Sequence, residues 1–256
     1  MGKPALIRLL PEFPRTLHLP HKPNAQHNDL VATEAKIIFE DRLIYVEEKV
    51  DGSSAGIALI DGHPVVRNRS HILKKGFLKD TPAKKQFTSI WGWFYENREK
   101  FERMQELLGG VTVYGEWMWA QHGLYYDRLP AWFIAYDVFV HSSQEFIDST
   151  VARRSLQEAG FYVPPLLHFG KVESYEQLEE LTLQSSPFTT QGPREGVYVK
   201  ISDGRRITHR FKMVRQGFVQ GGLWSEVKLK KNKLGDKHGV SRLEGQDSTR
   251  GSEIDS

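Results

Sequence analysis

Apolar and alternating runs recur along the chain and predict a mainly β fold with helices set between the strands. Leu43-Ile44-Tyr45-Val46-Glu47-Glu48, 54–60 and 64–68 are the first three expected strands, and Asp61-Gly62 between the last two is a strong hairpin signal. Further strands are expected at 111–119, 131–141, 195–201 and 207–214. Elsewhere the period changes. Phe87, Ile90, Trp91, Phe94, Phe101, Met104 and Leu108 recur at three-, four- and seven-residue spacing, which places them on one face of a long amphipathic helix. The plain reading of that aromatic stripe is core. Shorter helices fit 150–159 and 174–183, the second with Ser174 as its cap and Gln177 completing a capping box. Residues 1–30, which mix Pro, His and Arg, read as an irregular lead-in laid over the core. Residues 31–227 read as the domain itself, and 228–256, lysine-rich and then polar, as a flexible tail.

Composition narrows the class. With 256 residues, 39% hydrophobic and 11% aromatic, the chain is long and apolar enough for a sizeable packed core. It has no Cys, which excludes disulfides, thiolate metal sites and a cysteine nucleophile, and fits a reducing, intracellular setting. No run approaches a membrane span, and the N-terminus does not read as a secretory signal. The net charge of +3 favours polyanion partners only slightly.

The candidate chemistry starts at Lys49-Val50-Asp51-Gly52, where an apolar strand ends in a lysine, an acid and a glycine turn. Such a setting holds one amine rigidly toward a pocket; a surface lysine beside a turn fits the tetrapeptide equally. A free lysine titrates near 10.4, so at pH 7 roughly one in a few thousand is neutral and able to attack. Neighbouring cations or a bound metal must lower that value. Arg67-Asn68-Arg69-Ser70 and Arg210-Phe211-Lys212 supply cations, the latter two apart on one strand face. Glu116 and Glu195 lie at strand positions among apolar residues, where a carboxylate needs a partner, metal or hydrogen bond. Tyr136-Asp137 sets an aromatic beside an acid.

In this order the pieces resemble the covalent nucleotidyltransferase superfamily of polynucleotide ligases and mRNA capping enzymes, over about residues 45–215. Lys49-Val50-Asp51-Gly52 matches the nucleophile motif and Arg69 the arginine that follows it. Gly115-Glu116 matches the third motif, Tyr136-Asp137 the adenine-stacking aromatic and its acid, Glu195-Gly196 the fourth motif and Arg210-Phe211-Lys212 the fifth. The details look most like ATP-dependent RNA ligases of the phage nick-sealing type and their bacterial relatives. Phe13-Pro14-Arg15-Thr16, His18-Leu19-Pro20, the segment from Lys212 to Phe218 and Trp224-Ser225 add to that likeness. One departure is Arg210, where the family usually has a lysine.

The resemblance implies an α+β nucleotidyltransferase domain, antiparallel β-sheets flanked by helices. It also implies ATP as AMP donor, Mg²⁺ or Mn²⁺, a lysyl-AMP intermediate on Lys49, and sealing of a 5′-phosphate to a 3′-hydroxyl. Lys212, Arg69 and Arg210 would meet the phosphates, Glu195 the metal, and Asp51, Gly52 and Glu116 the ribose or the lysine. Glu48 and Tyr136 would take the adenine. The partner is then nucleic acid, RNA ends or nicks above all. After Lys212 only 44 residues remain, fewer than the roughly 50 of the smallest ordinary domain, so no C-terminal OB-fold is expected and a partner protein could replace it. A DNA ligase, a GTP-dependent capping enzyme and a non-catalytic module that binds nucleotide or RNA ends stay open. So do duller roles: ion pairs for the acids, turns for His18 and His21, and a solvated surface for Lys74-Lys75, Lys84-Lys85 and the lysines from Lys228 to Lys233.

Overall fold

The computed structural model describes residues 2–25, 29–33, 35–76, 85–219 and 229–236. Two five-stranded, largely antiparallel sheets carry the fold. The strands are β1 (Leu17–His18), β2 (Ile44–Lys49), β3 (Ser53–Ile60), β4 (His63–Asn68), β5 (Val111–Trp117), β6 (Phe133–Val140), β7 (Glu145–Phe146), β8 (Leu166–Gly170), β9 (Gly196–Ser202) and β10 (Ile207–Val214). One sheet runs β1-β10-β9-β2-β8 and the other β4-β3-β5-β6-β7. The helices are α1 (Lys3–Leu9), α2 (Ile90–Glu96), α3 (Arg98–Leu108), α4 (Ser149–Glu158) and α5 (Tyr175–Leu183), with a 3₁₀ turn at Lys36–Phe39. The α+β architecture expected from the sequence is therefore present.

Local chemistry explains most of these bounds. Asp61 and Gly62 both take positive φ, 49° and 75°, as a two-residue turn that follows strand twist requires. Ser174 Oγ accepts from Gln177 N, while the Gln177 side chain returns to Glu173 N, one residue short of a reciprocal box. The single long helix expected over 87–108 is two helices. Asn97 (φ −122°, ψ 20°) interrupts it and donates its side-chain amide to the Trp93 carbonyl, competing with the backbone ladder. The apolar stripe survives the break, because Phe94 and Phe101 are both buried against the same sheet.

Among the described residues three apolar clusters form the core. The largest packs α2, α3 and α4 on the β3–β6 sheet, the second packs α5 and the 3₁₀ turn on β2, β9 and β10, and a third sits at the junction around Val50, Met118 and Tyr126. A buried charge network fastens the sheets together behind the junction. Lys200 Nζ on β9 lies 2.6 Å from Glu47 on β2 and 3.0 Å from Asp137 on β6, and donates to the Tyr136 carbonyl. Arg210 adds a second cation to Asp137 at 3.0 Å, and Arg153 of α4 reaches Glu47 at 3.1 Å.

Two expectations are corrected at the ends of the chain. The 1–30 lead-in is irregular only in part, since it contains α1 and the parallel pairing of β1 with β10. The flexible tail from 228 is also wrong where it is described: residues 229–236 are held in the fold. Asn232 is 2% exposed and its N donates to Trp119 O at 3.1 Å, while Lys231 forms a β-bridge with Ala120. A polar composition there concealed backbone pairing that needs no apolar side chains.

Candidate active site

The nucleophile candidate stands where the chain passes from one sheet to the other. β2 ends at Lys49 and β3 starts at Ser53 in the second sheet, so Val50-Asp51-Gly52 is the crossing. Gly52 is required by close approach: a Cβ there would sit 2.8 Å from both Met118 Sδ and the Trp117 carbonyl. Asp51 pins the crossing to the loop after β5, its Oδ2 accepting from Gly123 N (2.6 Å) and Leu124 N (2.8 Å). Its own N–H donates to the buried Tyr126 hydroxyl at 2.9 Å.

Register brings Lys49 its partner. Lys49 pairs across the ladder with Gly196, and Glu195 immediately precedes that glycine. Lys49 Nζ lies 2.7 Å from Glu195 Oε1 and 2.8 Å from Oε2, and Glu195 is fully buried. Gly196 also has a steric cause: a Cβ would fall 2.1 Å from the Met213 carbonyl of β10.

A cavity of about 900 Å³ opens at Lys49; Glu195, fully buried, does not line it. Lys49, Glu48, Asp51, Gly52, Arg69, Glu116, Tyr136 and Lys212, all expected from sequence, line it. Phe13, Arg15, Asp29, His122 and Tyr198 line it as well. Burial works against the Lys49 charge, but Glu195, Glu116 and Asp51 outweigh it and hold the ammonium above its ordinary range. Burial raises Glu116 to about 8 and Glu195 to about 7, with neighbouring carboxylates adding and Lys49 opposing. Burial also raises Glu48 to about 7; Ser186 Oγ donates to it at 2.5 Å and Arg194 stands 3.5 Å away. Lys212 is lowered by burial and by the Lys49 charge, against the pull of Asp29.

The expected residues fare differently. Arg69 is exposed at the cavity rim. Arg67 is buried and holds backbone carbonyls, Leu10 O at 2.6 Å among them, which is a structural task. Arg210, expected at the cofactor, is a correction: it does not line the large cavity. Its guanidinium bonds Asp137 and stacks on Phe146 at 4.5 Å, beside a separate small hollow, because the cluster of Asp137 and aromatic rings draws it away. Tyr136 remains in the wall, its hydroxyl 3.2 Å from Ser54 Oγ and its ring 5.3 Å from Phe13. His21 pairs with Glu179 outside the cavity. Trp224-Ser225, Lys84 and Lys228 lie outside the described residues.

Sequence reasoning missed several members. Asp29 takes Lys212 Nζ at 2.6 Å and the buried His18 Nε2 at 3.1 Å, linking lead-in and fifth strand motif. His122 lies 3.1 Å from Ser53 Oγ and has its pKa lowered by burial. Neither sits in a periodic or motif-like run, so only tertiary proximity finds them. Among the described residues no three His, Asp or Glu side chains converge as a ready metal cage. Glu195 Oε1 nevertheless makes no hydrogen bond beyond its ion pair, leaving an oxygen suited to a hard cation that takes its other ligands from phosphates. No helix among the described residues is long and apolar enough to cross a membrane.

A family model described as RNA ligase matches residues 42–214. Solved structures of Naegleria gruberi RNA ligase share the fold. A mutant with ATP and Mn is 20% identical with a TM-score of 0.53, over 73% of this chain and 54% of that one. The ligase with PPi is 19% identical with a TM-score of 0.52, over 71% and 52%. A mutant with AMP and Mn is 18% identical with a TM-score of 0.51, over 70% and 51%. This chain thus spans about half the length of those ligase chains. No curated protein matches it in sequence.

Proposed function

This chain belongs to the RNA ligase family, and from that premise we propose that its cavity performs ATP-dependent adenylylation of Lys49 followed by sealing of RNA ends. The observation that carries the reading is the placement of Lys49 at the sheet crossing, on Glu195 and under a cavity that Lys212 enters from β10, one strand beyond β9. A nucleoside triphosphate fits such a space: a ring wall at Tyr136 and Glu48, cations at Lys212 and Arg69, and carboxylates at Glu116 and Asp51, with Glu195 buried on Lys49.

Lys49 must first lose a proton, and the surrounding carboxylates retain it. A divalent ion, held by Glu195 and the nucleotide phosphates, would supply the positive charge that lowers the lysine pKa and neutralises phosphate oxygens. The Lys49 amine then attacks the α-phosphorus in line with the departing pyrophosphate, forming a phosphoramide and breaking the α–β anhydride. Lys212 and Arg69 stabilise the charge that builds on the phosphoryl oxygens. The AMP passes to an RNA 5′-phosphate, and a 3′-hydroxyl displaces it to leave a phosphodiester. Arg210 supports the wall through Asp137 rather than touching the nucleotide.

The test is incubation with α-labelled ATP or GTP and Mg²⁺, followed by denaturation. Label from ATP that persists through denaturation and disappears in Lys49→Ala supports the reading. Label from GTP alone would point to capping chemistry, and no label to a binding module. Nicked RNA, nicked DNA and single-stranded RNA then identify the strands joined.

A further inference from the structure

The family match ends at residue 214, yet residues 229–236 return to the loop that holds the candidate nucleophile in place. Asn232 is the centre of that return. Its Nδ2 donates to Met118 O at 2.8 Å and Ala120 O at 3.1 Å, and its Oδ1 accepts from Tyr126 N at 3.0 Å. The flanking backbone continues the seam, with Lys233 N donating to Tyr126 O and Gln121 N to Lys230 O. Across the loop, the Tyr126 hydroxyl accepts from Asp51 N, and Asp51 Oδ2 takes the N–H groups of Gly123 and Leu124. The loop is therefore gripped on one side by Asn232 and on the other by the residue two after Lys49.

We propose that residues 229–236 are a clamp that positions the lysine turn, with Asn232 as a positioning residue acting through Tyr126 and Asp51. Its catalytic consequence rests on the reading of Lys49 as the nucleophile. The geometry favours a positioning role over general packing because Asn232 presents an amide, not apolar bulk, to three backbone groups of one loop. Met118 also lies directly against Gly52, so a shift of the loop reaches the crossing by a second path. The cavity wall feels it too, since His122 rides on the same loop.

The isosteric Asn232→Asp variant tests this. It keeps an acceptor for Tyr126 N but turns two donors into a carboxylate facing two carbonyl oxygens. Asn232→Ala removes the donors without adding charge and should behave more mildly. Hydrogen exchange on the full chain should show the Asp51 amide exchanging roughly tenfold or more faster in Asn232→Asp, with strand β9 protected as in the wild type. Single-turnover labelling at saturating ATP should fall roughly tenfold to a hundredfold, while the KM for ATP moves by less than about threefold. Faster exchange confined to 118–126 with Asp51 unchanged would overturn the clamp. So would a wild-type labelling rate in a variant whose Asp51 amide is exposed. Should the wild-type chain take no label, the nucleophile reading fails, and the exchange at Asp51 still decides the clamp.

Discussion

Replacing Lys200 by Met should be among the most damaging single changes, although Lys200 lies outside the cavity. The side chain is 1% exposed, and its ammonium sits 2.6 Å from Glu47 and 3.0 Å from Asp137. Those two carboxylate oxygens are thus within about 6 Å of each other. At an effective dielectric constant near 20, unit charges at that distance repel by roughly 3 kcal/mol. Methionine fills much of the volume but leaves both acids facing each other; Arg153 and Arg210 offset part of the charge. Breaking a buried pair from one side costs about 3–5 kcal/mol, which for a chain of this size is a Tm loss of roughly 6–20 °C. Urea unfolding followed by tryptophan fluorescence measures it directly. Adding Glu47→Gln to Lys200→Met should recover stability by removing the repulsion. A loss below about 1 kcal/mol, or a double variant less stable than the single one, would refute the account.

Three further outcomes are expected. Gly196→Ala places a Cβ 2.1 Å from a backbone carbonyl that cannot rotate away, so a loss of about 2–3 kcal/mol or more is expected, read as a lower urea midpoint. Glu116 and Glu195 are raised in the folded state to about 8 and about 7, so the native chain binds more protons than the unfolded one between about pH 4.5 and 8. Stability of the metal-free protein should therefore fall as pH rises through that window, and Glu116→Gln should flatten the slope of Tm against pH; a rising Tm in the wild type would contradict this. Arg69→Ala, at an exposed rim position, should leave stability within about 0.5 kcal/mol yet slow Lys49 labelling by about tenfold or more. Labelling at the wild-type rate would remove Arg69 from the site.

The strands that position the site were legible because each is an apolar run bounded by turn residues, and the Asp61-Gly62 hairpin follows from two residues alone. The lysine turn, Glu116, Glu195 and Lys212 were legible as spaced motifs; all but Glu195 line one cavity, and Glu195 is held on Lys49. Arg210 was misplaced because two residues on one strand face can still be captured by different neighbours, here Asp137 and Phe146. The break at Asn97 escaped because an apolar period records which face is buried, not whether the helix beneath it is continuous. β8 and the 229–236 seam escaped for another reason. Leu166–Gly170 follows two prolines, and the seam is fastened by backbone groups and one amide, which hydropathy does not register.

The pairing of both cavity lysines with carboxylates, Lys49 on Glu195 and Lys212 on Asp29, makes entry to this site an exchange rather than an addition. An anion reaching either amine has to displace an acid that already lies within 2.8 Å of it. A singly charged ion such as chloride gains too little to do so. A polyphosphate, bearing several charges and able to engage both lysines together, recovers the loss twice over. Under the proposed reading, a multiply charged ligand is then favoured over a singly charged one at this cavity.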